Sequence, residues 1–207
     1  MPNSIIRDFH KLYHESIDGT WHQTYWMGVK TLKCPLDLWI YQELLWRIKP
    51  DLVIETGSAF GGSALYLAHI LALIGHGRVI SIDIKPPPPV RHRLITFITG
   101  SSVAEKTLTL VKKHAAKAKK ILVILDSDHH KQHVLNELNA YAPLVSNGSY
   151  LIVEDTDINQ SVRFDHGPGP TEALREWLPN NSSFKVDRNC EKLLMTFNPG
   201  GYLKCSR

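Results

Sequence analysis

The segment "KILVILDSDHHKQHV" carries an apolar run straight into Asp126, Ser127, Asp128, His129 and His130. Ionisable groups are costly to bury unpaired, so a strand that ends in several of them either returns to water or holds something. A second run, "SYLIVEDTD", ends the same way in Glu154 and Asp155. If the two strands are neighbours, Asp126, Glu154 and Asp155 converge, and three like charges in one cleft need a cation. Oxygen ligands suit a hard ion such as Mg²⁺, with Mn²⁺ or Ca²⁺ as alternatives, and no cysteine lies near to favour Zn²⁺. His129, three residues after Asp126, is placed to act as a general base on a hydroxyl, with His130 and His133 as alternatives. Asp128 is a candidate N-cap for the helix that follows.

A second group of residues lies upstream. In "VIETGSAFGGSAL" the glycines Gly57, Gly61 and Gly62 sit between a strand and a helix, where the backbone can turn tightly and approach a ligand. The spacing is neither GxGxxG nor a P-loop, and Glu55 ahead of the first glycine would repel phosphate but suit an ammonium group. The next strand, "GRVISIDI", presents Asp83 near its end, where a carboxylate can accept from ribose hydroxyls. An ammonium-binding acid, a glycine loop and a ribose-binding acid together describe a site for S-adenosylmethionine.

These residues need a frame that brings strand ends together. Apolar runs at 51–57, 77–84, 94–100, 120–128 and 149–157 alternate with helical stretches at 61–75, 102–118 and 131–142. Continuous Val/Ile/Leu runs fit strands covered on both faces. The order predicts an α/β fold with a mostly parallel, doubly wound sheet whose ligands lie beyond the carboxyl ends of the strands. "CPLDLWIYQELLWRIKPD" reads as a helix that Pro35 and Asp37 help to start, and "TEALREWL" as another. "SFKVDRN" and "KLLMTFNPGGYLKC" are expected to close the sheet with an antiparallel pair, and "KPPPPVRH" to be a stiff linker. The expected division is an N-terminal helical cap at 1–50 and a catalytic domain at 51–207. Trp21, Tyr25 and Trp26 in the cap are candidates to cover an acceptor or simply to pack, and Gly167 to Pro170 to form a rigid lip.

Composition narrows the class. The chain has 207 residues, 43% hydrophobic and 21% charged, with net charge +4 and three cysteines that make no CxxC pair. A soluble, cytoplasmic protein with reduced thiols is expected. The basic run "KKHAAKAKK" lacks interleaved aromatics, so a solvated helix face is expected there and no nucleic-acid partner.

Several blocks in order, "WMGVKTLKCPLDLWIYQEL", "KPDLVIETGSAFGGSAL", "LDSDHHKQHVLNELNAYAPLV", "YLIVEDTDIN", "GPGP" and "LLMTFNPGGYLK", resemble the cephalosporin hydroxylase family over residues 20 to 205. That family consists of class I S-adenosylmethionine-dependent O-methyltransferases, related to rhamnosyl and macrolide-sugar enzymes. The resemblance implies a Rossmann-like class I methyltransferase fold, Mg²⁺, homo-oligomers and a small-molecule acceptor such as a sugar or natural product. By position it implies a metal triad of Asp126, Glu154 and Asp155, His129 as catalytic base, and cofactor contacts from Glu55, Gly57, Ser63, Asp83, Gly100, Ser101 and Asp126. Competing readings are an iron-dependent oxygenase, which would want two histidines and a carboxylate on one metal, a non-catalytic cofactor-binding module, and an RNA methyltransferase.

Overall fold

The computed structural model describes residues 4–15, 19–158 and 167–207. Helix α1 (Ser4–Glu15) is followed by a two-stranded ribbon, β1 (Tyr25–Trp26) and β2 (Val29–Lys30), and then by α2 (Pro35–Ile48). The central unit runs β3 (Leu52–Thr56), α3 (Gly62–Ile74), β4 (Arg78–Asp83), β5 (Ile95–Thr99), α4 (Glu105–Ala115), β6 (Ile121–Leu125), α5 (Lys131–Tyr141) and β7 (Tyr150–Val153). It ends with α6 (Pro170–Trp177), β8 (Phe184–Val186) and β9 (Tyr202–Cys205).

The seven-stranded sheet has the order β5-β4-β3-β6-β7-β9-β8. The five strands from β5 to β7 are parallel, and β9 and β8 pair antiparallel. Every residue of β3, β6 and β7 is buried, because helices cover both faces. Strand alternation divides their side chains between two cores: Leu52, Ile54, Val123 and Leu125 pack with α5 and α6, while Val53, Leu122 and Ile124 pack with α2 and α3. The chain leaves β3 towards β5 and returns to β6, so the order reverses between β3 and β6. A cleft at their carboxyl ends is the expected ligand position.

Several expectations change in detail. The ladders stop short of the polar residues, so Asp126 and Glu154 are the first residues beyond β6 and β7. Cys34 holds the N-cap position of α2, with Pro35 and Asp37 in its first turn as expected. Asp37 is buried and accepts from Thr196 Oγ1 (2.5 Å), the Phe197 amide (2.9 Å) and Tyr202 Oη (2.7 Å), fastening the C-terminal segment to α2. Asp128 does not cap α5: it accepts from the His130 amide at 2.9 Å, and His130 occupies the cap position. The proline-rich stretch is more than a linker, because Val90 is buried and Pro88 and Val90 close over Gly61. Of the C-terminal apolar stretch only residues 202–205 form a strand, and β9 lies inside β8 rather than at the edge.

No helix among the described residues is long and apolar enough to cross a membrane. Trp26 donates to His69 Nδ1 at 3.0 Å and meets Tyr66 edge-on, while Trp21 packs on Cys34, Met195 and Phe197. Both tryptophans therefore fasten the N-terminal segment to the domain, and Tyr25 is exposed. At the expected lip, the Lys131 amide donates to the Pro168 carbonyl at 2.9 Å and Pro170 opens α6, which ties this segment to α5.

Candidate active site

Two turns meet at the reversal point. After β3 the chain passes through Gly57 at φ +85°, and the Asp126 amide donates to the Thr56 carbonyl at 3.1 Å. A side chain at Gly57 would place its Cβ 1.8 Å from the Asp126 carbonyl oxygen, so only glycine allows the loops to come this close. After β7, the Glu154 amide donates to the Leu125 carbonyl at 3.0 Å, which carries Glu154 and Asp155 to the same end. Asp155 has a left-handed backbone, φ +53°, held by its amide donating to Asn198 Oδ1 at 3.0 Å. A non-glycine residue kept in that region stores free energy, a pattern concentrated at functional sites.

The carboxylates divide by partner. One oxygen each from Asp126 and Asp155 lies with a ring nitrogen of His129, all within 4.8 Å of one another, and His129 Nε2 is 3.3 Å from Asp155 Oδ2. Glu154 turns to Tyr41, whose hydroxyl donates to it at 2.8 Å, and to Lys33 Nζ at 2.7 Å. Lys33 also pairs with Asp126 and is only 3% exposed. Asn198 donates to the Tyr41 hydroxyl at 3.1 Å, so a buried chain runs from the Asp155 backbone through Asn198 and Tyr41 to Glu154.

The electrostatics follow from this crowding. Burial, with repulsion from Asp155 and against the pull of Lys33, raises Asp126 to about 6. Burial also lifts Asp155 to about 6 and Glu154 to about 7, although His129 and Lys33 respectively oppose it. Burial depresses the Lys33 ammonium, but Asp126, Glu154 and Glu55 together hold it above its ordinary value. His129 is likewise raised, because Asp155 and Asp126 outweigh desolvation. Four acids, Glu55, Asp126, Glu154 and Asp155, face one lysine and one histidine, so the site is short of positive charge.

Beside this cluster lies a cavity of about 450 Å³ lined by Gly57, Ala59, Asp83, Gly100, Ser101, Ser102, Ser127 and His133. That volume falls in the range of small-molecule pockets. Asp83 spans its floor: one oxygen accepts from the Ser58 and Ala59 amides at 3.0 and 2.9 Å, the other from the Lys85 amide at 2.9 Å. Oδ1, with a single donor, retains a lone pair for a further one. A smaller recess on the other side of the Gly57–Ala59 turn is lined by Lys33, Ser63 and Asp126. Glu55 lies beneath the turn, fully buried, and accepts from Ser81 at 2.6 Å and from Ser63. Its Oε1 is buried without a partner.

Of the sequence-derived residues, Asp126, Asp155 and His129 come together, and Gly57, Asp83, Gly100 and Ser101 border one cavity. Ser63 borders the recess, while Glu154 is turned to Lys33 and Glu55 lies below. The three histidines separate. Only His129 reaches the carboxylates; His130 is exposed and pairs with Asp128 at 2.5 Å, and His133 lies 3.1 Å from both Ser102 Oγ and Ser127 Oγ at the cavity. Sequence reasoning assigned no role to Lys33, Tyr41 or Asn198. The available signal was a lysine set between apolar residues in "TLKCPL", away from any polar helix face.

A family model described as rhamnosyl O-methyltransferase/CmcI matches residues 18–206. The chain belongs to this family. It is 38% identical over 213 residues to a rhamnosyl O-methyltransferase of Mycobacterium leprae, covering 97% of this chain and 90% of the relative. A rhamnosyl O-methyltransferase of Mycobacterium tuberculosis is 36% identical over 214 residues, covering 97% of this chain and 85% of the relative. Among solved structures, apo CmcI aligns with TM-score 0.70 at 21% identity, covering 90% of this chain and 77% of its own. CmcI with Mg and S-adenosylmethionine aligns at 0.69 and 22%, covering 90% and 78%. The MycE methyltransferase of mycinamycin biosynthesis, in complex with Mg and SAH, aligns at 0.55 and 16%, covering 82% of this chain and 49% of that one. These likenesses show a class I methyltransferase fold.

Proposed function

We propose that this chain is a divalent-metal-assisted O-methyltransferase that moves a methyl group from S-adenosylmethionine to a hydroxyl of a small molecule, with rhamnose-bearing or related sugar acceptors as the preferred class. The observation that carries this reading is the joining, across one glycine turn, of a nucleoside-sized cavity and a carboxylate–histidine cluster short of positive charge. The names of the family and of its mycobacterial relatives support the reaction and the acceptor class. S-adenosylmethionine supplies an electrophilic methyl group on sulfur, and a divalent ion would supply positive charge that lowers the pKa of an acceptor hydroxyl.

The chain's residues fit both groups. Asp83, Gly100 and Ser101 would hold the nucleoside, and the Gly57 turn would let it lie against the backbone. Ser63 and Asp126 border the route to the methionine end, and the free Glu55 Oε1 is a buried acceptor of the kind an ammonium donor would satisfy. Asp126, Asp155 and Glu154 are the oxygen donors for a hard ion, with Glu154 released from Lys33 or shared with it. His129, in its neutral form, would accept the acceptor hydroxyl's proton at Nε2 during methyl transfer. Lys33 balances the acids that remain. Closing the acceptor against these groups replaces an encounter with a fixed geometry.

The alternative iron site would need two histidines with one carboxylate, and the cluster holds one histidine with two carboxylates while His130 points away. The test is mass-spectrometric detection of methyl transfer to rhamnosides and other glycosides, with Mg²⁺ and with chelator. Methylated product that depends on Asp155 and falls about 10²–10⁴-fold in His129→Asn supports the reading; oxygen consumption with iron and no methylated product refutes it.

A further inference from the structure

A second set of metal-type ligands lies outside this site and shares no residue with it. His10 and His14, four residues apart on α1, project from one helix face. Both point at Asp157, which follows β7 and is 3% exposed. His10 Nδ1 and His14 Nε2 each lie 3.3 Å from the same Asp157 oxygen, Oδ2, and the three ligand atoms fall within 4.8 Å of one another. Two ligands about 2.05 Å from a tetrahedral ion are about 3.3 Å apart, whereas a charge-assisted hydrogen bond draws nitrogen and oxygen to about 2.7–2.9 Å. The observed 3.3 Å separations leave room for an ion between the ligand atoms.

His14 Nε2 lies within hydrogen-bond distance of Asp157 Oδ2 at 3.3 Å, while His10 Nδ1 stands at the same distance from that oxygen, so two ring nitrogens converge on one acceptor. His14 Nδ1 is buried without a hydrogen-bond partner, so the ring's polar contact is made at Nε2. The ring is packed on Phe197, with centroids 4.6 Å apart, which preorganises it. We propose that His10, His14 and Asp157 bind an imidazole-preferring divalent ion of the Zn²⁺ class, with water completing the shell, and that this ion fastens α1 to the strand end that carries Asp155. Two imidazoles and one carboxylate select a softer ion than the oxygen-rich set at Asp126 and Asp155, so the two sites sort different metals.

The test titrates chelator-stripped full-length protein with Co²⁺ in excess Mg²⁺, following the visible absorption that a low-coordinate Co²⁺ ion gives. The expected result is one equivalent bound, displaced by Zn²⁺, with affinity lowered at least about tenfold in His10→Ala and in His14→Phe. His14→Phe keeps a ring on Phe197 and removes only the ligand atom, so its melting temperature in chelator separates lost binding from lost folding. Asp155→Asn is expected to retain the absorption. Zn²⁺ should also slow tryptic cleavage after Arg7 in the wild type and not in His14→Phe. Absence of the absorption in the wild type, unchanged Co²⁺ affinity in both histidine variants, or loss of the absorption in Asp155→Asn alone would overturn the proposal. None of these readouts depends on methyl transfer.

Discussion

Lys33→Met isolates the role of the buried ammonium. The side chain is 3% exposed and contacts Asp126 and Glu154, so the substitution removes a buried positive charge and keeps the volume. Breaking a buried ion pair from one side costs about 3–5 kcal/mol. The acids can limit that loss by taking up protons. At pH 7, protonating a glutamate of ordinary pKa 4.5 costs about 3.4 kcal/mol and an aspartate of 3.8 about 4.4 kcal/mol, at 1.36 kcal/mol per pH unit. At pH 5 the same costs are about 0.7 and 1.6 kcal/mol. The sign follows from proton binding: losing Lys33 raises the folded-state pKa of both acids further, so the penalty is present above their unfolded values and fades as pH falls towards them. Chemical denaturation in chelator should therefore show a loss of about 3–4 kcal/mol at pH 7, or roughly 6–16 °C in a chain of this length, and about 1 kcal/mol at pH 5. Added Mg²⁺ should restore more stability to Lys33→Met than to the wild type. A variant within about 0.5 kcal/mol of wild type at pH 7, or equally destabilised at both pH values, would refute the reasoning.

Other outcomes follow from particular contacts. Gly57→Ala should lose at least about 3 kcal/mol in denaturation, because it combines a strained φ with a 1.8 Å overlap on the Asp126 carbonyl; full stability would show that the turns can separate. Asp37, raised by burial to about 6, binds its proton more tightly folded than unfolded, so it removes stability as pH rises from about 4 to about 6. The Asp37→Asn variant should lack that component, up to roughly 3 kcal/mol; parallel pH–stability curves for the two proteins would contradict it. Asn198→Ala should weaken the metal response more than cofactor affinity, since Asn198 holds the Asp155 backbone and the Tyr41–Glu154 link but borders neither recess. Equal losses in calorimetry of both ligands would place it elsewhere in the scheme.

The sheet was legible because its central strands are buried on both faces, which writes continuous apolar runs into the sequence. The strand-end acids were legible because two apolar runs, "ILVIL" and "YLIV", each pass directly into carboxylates. Lys33 was not: its partners are 93 and 121 residues away, and only the returning N-terminal segment brings them together. The same holds for Asn198, which reaches Tyr41 across 157 residues. His10 and His14 had helical spacing in the sequence, but Asp157 joins them only after β7 is placed beside α1. Asp128 looked like a helix cap because its short acidic side chain suits that role locally, and an adjacent turn claimed it; Asp37 keeps its place in the first turn of α2, but its partners are 159 to 165 residues away.

The most direct test of the central claim is calorimetric titration of S-adenosylmethionine and its demethylated product into the purified protein, with and without Mg²⁺, in wild type and Asp126→Ala. The account predicts micromolar binding of both nucleosides and a Mg²⁺ response that disappears in the variant. Binding of neither nucleoside to the folded wild-type protein would contradict it.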